Sequence, residues 1–92
     1  MDLQLSGQAA VVVGGARGIG RAIAVGFAAE GANVGLVDRD PEVEFSAASL
    51  GRDHKIKAVA CQGDATDYPA MQRAAADMLD KLGRVDHLVF AV

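Results

Sequence analysis

The chain has 92 residues and a formal net charge of −3, and 51% of its residues are apolar. This length predicts one domain, residues 1–92, with a core that buries roughly 60% of the surface exposed by the unfolded chain. The nine lysine and arginine residues are spread along the chain, which argues against the basic patch of a nucleic-acid-binding protein. The apolar runs are too short for a membrane span.

Cys61 is the only cysteine, so we expect neither an internal disulfide nor a metal site built on thiols. A single reduced thiol is typical of intracellular proteins. The opening segment MDLQLSGQ has an acidic residue at position 2 and lacks the basic region of a secretory signal. These features together predict a cytoplasmic protein.

Strand and helix patterns alternate along the first half of the chain. Residues 9–13 (AAVVV) predict a buried strand, and residues 33–37 (NVGLV) predict a second one. Between them, apolar residues recur at helical spacing, at Ile19, Ala22, Ile23 and Phe27. Gly31 is a suitable end for this helix. Residues 42–53 predict a second, weakly patterned helix that begins after Pro41.

The same alternation continues in the second half. Residues 57–61 (KAVAC) predict a third strand, and residues 85–92 (VDHLVFAV) a fourth. Asp67 is a suitable N-cap for a third helix, with Pro69 in its first turn and Gly83 at its end. One apolar face is predicted for this helix, formed by Met71, Ala74, Ala75, Met78, Leu79 and Leu82.

The order β-α-β-α-β-α-β predicts an α/β fold. The strands are continuously apolar, which indicates a parallel sheet covered on both faces. Right-handed crossovers then give a Rossmann-type doubly wound sheet with strand order 3-2-1-4, here in partial form. The crevice between strands 1 and 4, at the carboxyl ends of the strands, is the predicted ligand site.

A glycine-rich segment, VVVGGARGIGRAIA, joins strand 1 to the first helix. It lacks the lysine and hydroxyl residue of a P-loop, and Ile23 occupies the third glycine position of the G-x-G-x-x-G fingerprint. The remaining pattern is G-x-x-x-G-x-G, formed by Gly14, Gly18 and Gly20. Exposed backbone at a helix N-terminus favours the binding of a phosphate group.

Asp38 lies 18 positions after Gly20, close to the offset of about 20 expected for a ribose-binding acid. Its carboxylate would accept hydrogen bonds from ribose hydroxyls and repel a 2′-phosphate, which favours NAD over NADP. Arg17, within the glycine segment, and Arg39, directly after Asp38, could instead pair with a 2′-phosphate. Both arginines are also consistent with solvated surface residues or with partners of a nearby acid.

Three segments resemble the short-chain dehydrogenase/reductase family: LSGQAAVVVGGARGIGRAIA at the start, GDATD at 63–67 and VDHLVFAV at 85–92. The resemblance extends over the whole chain. It implies that Gly14, Gly18 and Gly20 line the cofactor pyrophosphate, with Arg17 and Ile19 between them. It also implies ribose contact by Asp38 and adenine contact by Asp64 and the Ala65 backbone. Ala91 would lie at the cofactor edge of strand 4.

The sequence departs from the family pattern at several positions. Val13 replaces a threonine, and Phe90 and Ala91 replace two asparagines of strand 4. The family's catalytic serine and its Tyr-x-x-x-Lys motif are both absent. Tyr68 is the only tyrosine, and Gln72 stands four residues after it in place of the lysine. We interpret Tyr68 as an amphipathic residue at a helix start and His54 as a loop residue.

Two functions remain open on the sequence. The first is the amino-terminal, cofactor-binding half of an NAD(P)-dependent oxidoreductase that transfers hydride between nicotinamide and a carbonyl or alcohol. This half is expected to be inactive by itself. The second is a nucleotide-binding module without catalysis that self-associates. In either case the apolar edge of strand 4 predicts a homo-oligomer, since an open apolar edge favours pairing with another chain.

Overall fold

Our computed structural model describes residues 5–92, which form four strands and three helices in the predicted order. The strands are β1 (Ala9–Val13), β2 (Asn33–Asp38), β3 (Ala58–Gln62) and β4 (His87–Phe90). The helices are α1 (Gly18–Ala29), α2 (Glu42–His54) and α3 (Tyr68–Leu82). None of these helices has the length and apolar character needed to cross a membrane.

The four strands form one parallel sheet with the order β3-β2-β1-β4, which confirms the predicted topology. At the centre of the sheet, Val12 of β1 lies opposite Leu36 on one side and Val89 on the other. Because all strands run the same way, their carboxyl ends meet along one edge. The loops after β1, β2, β3 and β4 are therefore neighbours.

Helices cover both faces of β1, which explains its uninterrupted apolar run. Val12 packs with α1 and α2 on one face, in a cluster that contains Ala24, Ala28, Val34, Leu36, Val43, Ala47 and Leu50. Val11 and Val13 pack with α3 on the opposite face, in a cluster that contains Ala9, Val37, Ala74, Met78 and Leu82. Each fully buried valine or leucine stabilises the fold by about 1.5–3 kcal/mol.

The helix ends follow local sequence signals. The Asp67 carboxylate accepts a hydrogen bond from the Ala70 N–H at 3.1 Å and caps α3, which ends at Gly83 with φ +81°. Both residues have the roles predicted for them. Helix α2 carries Glu42 in its first turn, where a negative charge stabilises the helix dipole.

Several boundaries differ from the predictions. Strand β3 begins at Ala58, one residue late, because the Lys57 N–H donates to the Asn33 side chain at 3.0 Å. His54 is the last residue of α2 rather than a loop residue. Strand β4 spans only His87–Phe90, since residues 91–92 leave the sheet towards the glycine loop.

The predicted apolar face of α3 is too wide. Ala74, Met78 and Leu82 are buried, whereas Ala75 and Leu79 are exposed. The helix packs over β2 and β3, so only a narrow stripe of it reaches the sheet. Strand β4 is consequently left uncovered on this face. Its Leu88 and Phe90 are 59% and 64% exposed, contrary to the expectation that both faces of every strand are covered.

Candidate functional site

A cleft of about 330 Å³ opens at the carboxyl ends of the strands, beside the crevice predicted from the topology. It is lined by Val13, Gly14, Val37, Asp38, Arg39, Gly63, Asp64, Ala65, Thr66 and Val92. Five of the predicted site residues therefore lie around one cavity. The glycine loop (residues 14–20) borders it and carries the predicted residues Arg17, Gly18, Ile19 and Gly20.

Two glycines let this loop fold against other backbone. Gly14 has φ +88°, and a Cβ there would lie 3.1 Å from the carbonyl group of Ala91. A Cβ on Gly20 would overlap the carbonyl of Gly14. Glycine at these positions thus permits close approach of two backbone segments within the chain. From the sequence, the missing side chain of Gly14 was expected to make room for a bound phosphate.

Gly18 is different, because nothing lies within 4 Å of the position its Cβ would occupy. It is the first residue of α1, and neither a capping side chain nor an acidic residue in the first turn satisfies this helix end. Ile19 is 76% exposed beside it. The first turn of a helix has free N–H groups and a partial positive charge, so this end has room and polarity for an anion.

The Asp38 carboxylate ties the end of β2 to the glycine loop. Its Oδ2 accepts a hydrogen bond from the Ala16 N–H at 3.1 Å. Its Oδ1 accepts one from the Asp40 N–H at 3.0 Å. A carboxylate can accept about four hydrogen bonds, so both oxygens keep capacity for a further donor in the cleft.

Ser46 of α2 holds the same loop from the protein interior, and sequence reasoning missed it. Its hydroxyl is buried and donates to the Ala16 carbonyl at 3.0 Å. Both peptide groups flanking Ala16 are therefore fixed, one by Asp38 and the other by Ser46. The available signal in the sequence was that Ser46 is a polar residue on the face of α2 that packs against the apolar cluster.

Arg17 belongs to the glycine loop, and its guanidinium forms an ion pair with Asp40, which lies just before the start of α2. The hydrogen bond and charge of Asp40 raise the pKa of Arg17 above its ordinary value. The Glu42 backbone N–H and then the Arg17 side chain lower the pKa of Asp40. Asp40 was absent from the predicted site, although it contacts a predicted site residue.

Asp64 lies in the loop after β3 and lines the same cleft. Its Oδ1 accepts hydrogen bonds from the Thr66 N–H at 2.9 Å and from the Thr66 hydroxyl at 2.7 Å. These bonds lower the pKa of Asp64, with a smaller effect from the charge of Arg39. Asp64 therefore organises its own loop, while Arg39 and Ala65 lie with it on the cleft wall.

Ala91 lies under the glycine loop rather than in the cleft. Its N–H donates to the Val13 carbonyl at 2.8 Å, and its carbonyl lies against Gly14. Its methyl group would lie 3.2 Å from a Cβ on Gly20. Ala91 thus supports the loop through close contact, a role for which a small side chain is suitable.

The described residues bring together no group of three or more metal-ligating side chains. Tyr68 is the first residue of α3 and is 72% exposed, in agreement with a residue at a helix start. The glycine loop, Asp38 and Asp64 together form the candidate site.

Comparison with known proteins identifies the family. A sequence model of the family described as short chain dehydrogenase matches residues 8–92. The chain is 40% identical over 87 residues to oxidoreductase UcpA of Salmonella typhimurium, covering 94% of this chain and 32% of that protein. The chain spans about a third of the length of the curated relatives it matches.

Solved structures of similar proteins agree with the family match. L-sorbose reductase from Gluconobacter frateurii, complexed with NADPH and L-sorbose, superposes with a TM-score of 0.90 and 32% identity, over 96% of this chain and 34% of that one. NAD+-bound xylitol dehydrogenase superposes with a TM-score of 0.86 and 27% identity, over 92% of this chain and 33% of that one. Since the family model matches nearly all of the chain, the chain belongs to the short-chain dehydrogenase family.

Proposed function

We propose that this chain binds the adenosine and pyrophosphate half of NAD in the cleft at the carboxyl ends of the strands. In the whole protein, this part would hold the cofactor for hydride transfer between nicotinamide and an alcohol or carbonyl substrate. Proteins of the family bind nicotinamide dinucleotides, and solved relatives carry NADPH or NAD+. The proposal also includes a preference for NAD over NADP.

The glycine loop fits a pyrophosphate. The open space at Gly18 and the uncapped start of α1 would accept an anion at the positive end of a helix. Arg17 and Ile19 flank this position and are exposed. Gly14, Gly20 and Ala91 would act indirectly, by holding the loop in shape through backbone contact.

The cleft fits an adenosine. Asp38 would accept hydrogen bonds from the ribose hydroxyls, while Asp64 and the Ala65 backbone would contact the adenine base. The nicotinamide ring carries the hydride chemistry when the cofactor is bound. The residues of this chain would bind and orient the adenosine end, and we expect no hydride transfer by this chain alone.

The observation that carries the preference for NAD is the position of Asp38. Its carboxylate is held at the end of β2 by the N–H groups of Ala16 and Asp40, so it cannot turn away from a bound ribose without losing both bonds. A 2′-phosphate would meet this charge at close range, where like charges repel strongly.

Cytoplasmic location, expected from the single Cys61, stays a prediction.

Calorimetric titration of the chain with NADH and NADPH tests the proposal. We expect tighter binding of NADH, and we expect Asp38→Ala to weaken NADH binding about tenfold or more, since a hydrogen bond to a charged group contributes roughly 1.5–3 kcal/mol. Asp53→Asn, on the exposed surface of α2, is the matched control. Tighter binding of NADPH than of NADH would reject the role given to Asp38.

A second function is favoured by the uncovered face of β4. Leu88 and Phe90 border a shallow apolar groove of about 90 Å³ with Met71, Ala74 and Met78. Exposed apolar surface of this kind marks interaction sites. Self-association through β4 is compatible with cofactor binding, because this groove lies on the α3 face rather than in the cleft.

A further inference from the structure

We propose that Asp40 is a specificity-determining residue, which disfavours NADP by holding the Arg17 guanidinium in an ion pair. The proposal rests on the proposed function, since it concerns the 2′ position of a dinucleotide in the same cleft. Asp38 repels a 2′-phosphate, and Asp40 would withhold the arginine that could neutralise it.

Asp40 is itself fixed from two sides. Its N–H donates to Asp38 Oδ1 at 3.0 Å, and its Oδ1 accepts a hydrogen bond from the Glu42 N–H at 2.9 Å at the start of α2. Only Oδ2 remains, and it accepts from the Arg17 guanidinium. The backbone of Asp40 and one oxygen of its carboxylate are therefore held independently of Arg17, so the carboxylate binds Arg17 with little further loss of its own freedom.

The two partners of this ion pair differ in exposure. The Arg17 side chain is 74% exposed, whereas that of Asp40 is 24% exposed. Arg17 is also the only cation in the glycine loop. Without the ion pair, this long side chain could swing over the end of β2, where Asp38 lies two residues from Asp40.

The second arginine of the cleft is also near a carboxylate. Arg39 lies on the cleft wall with Asp64, and its charge contributes to the lowered pKa of that residue. Asp40, the partner of Arg17, does not line the cleft. A substitution of Asp40 can therefore break this ion pair without changing a residue that lines the cleft.

Asp40→Asn is the informative variant. Asparagine keeps an oxygen for the Glu42 N–H and replaces the other oxygen by an amide that cannot accept from Arg17. We expect the ratio of the NADPH dissociation constant to the NADH dissociation constant to fall about fivefold at low salt, because a freed guanidinium pairs well with phosphate. Calorimetry with both cofactors measures this ratio.

Three controls define the outcome. Asp53→Asn removes the same charge from α2 and should leave the ratio unchanged. Arg17→Ala combined with Asp40→Asn should abolish the gain, which separates release of Arg17 from simple loss of a negative charge. Asp40→Ser, which keeps an acceptor suited to a helix start, should repeat the shift if Asp40→Asn unfolds the chain.

The results separate two failures. Binding of NADH by the natural chain with an unchanged ratio in both Asp40 variants would overturn this inference alone. A gain that persists without Arg17 would overturn it as well. Absence of binding of either cofactor to the natural chain would overturn the proposed function, and this inference with it.

Discussion

Ala16 is held at both ends by polar groups from different elements. Its N–H donates to Asp38, and its carbonyl accepts from Ser46, a side chain that is only 1% exposed. The glycine loop therefore has a fixed point in its middle, although the glycines around it give the backbone unusual freedom. This arrangement positions the loop before any ligand arrives.

Ser46→Ala should destabilise the chain by about 1–3 kcal/mol, because the buried Ala16 carbonyl would lose its partner. For a domain of this size, that corresponds to a fall in Tm of several degrees or more. Ser49→Ala on the same helix, which removes a more exposed hydroxyl bonded to Asp53, should change stability by less than about 0.5 kcal/mol. Equal effects of the two variants in thermal unfolding would contradict the role of Ser46.

At this scale the sequence identified the residues that have a spacing signal and missed those that act through backbone partners. Asp38 was found because its distance from the glycines is characteristic. Ser46 was missed because its partner is the Ala16 carbonyl, and such a contact leaves no pattern of residue types. Asp40 was missed because it is bonded to the Glu42 N–H and pairs with Arg17 across 23 positions of the chain. The predicted cofactor contacts themselves stay predictions.

Among the elements, β4 is the one whose surroundings differ most from expectation. Its order, direction and place beside β1 were predicted, since they follow from the right-handed crossover rule. Its open apolar edge was expected too. The exposure of its face beside α3 was not predicted, because the periodicity of α3 indicates an apolar face without indicating which strands that face covers. The helix lies over β2 and β3, and the apolar side chains of β4 remain exposed.

Self-association should therefore depend on β4. We expect the chain to form oligomers with rising concentration, and the double variant Leu88→Gln, Phe90→Gln to weaken this at least about tenfold, since each apolar side chain buried contributes on the order of 1.5–3 kcal/mol. Sedimentation equilibrium at several concentrations measures it. Phe45→Gln, at a side chain 69% exposed on α2, is the control. A natural chain that stays monomeric throughout would refute the prediction.

Across the whole molecule, carboxylates stabilise loops and helix starts by accepting hydrogen bonds. Arg84 donates to Asp86 at 2.8 and 2.6 Å, and the Ala9 N–H donates to it at 2.9 Å. The Arg84 bonds and then the Ala9 bond lower the pKa of Asp86. Asp40 and Asp64 have lowered pKa values for similar reasons.

These lowered pKa values predict acid lability. A carboxyl whose pKa is lower in the folded state stabilises it above the unfolded pKa of about 3.9, and this contribution disappears as pH falls through the folded pKa. Urea unfolding should therefore give a lower free energy at pH 3 than at pH 7. Asp86→Asn should destabilise the chain at pH 7 and differ much less from the natural chain at pH 3.

Asp80→Asn, at an exposed position of α3, is the control for the loss of one negative charge. The opposite result, with Asp86→Asn equally destabilising at both pH values, would mean that Asp86 acts through shape rather than charge.

The pairing of β1 with β4 joins Ala9 to Asp86, which are 77 residues apart. The same pairing brings Ala91 against Gly14, so the glycine loop reaches its final form only when the chain has been made as far as β4. A growing polypeptide on the ribosome therefore carries an unfinished glycine loop throughout the synthesis of β2 and β3. The cofactor binding proposed for this loop would then become possible only once β4 has docked beside β1.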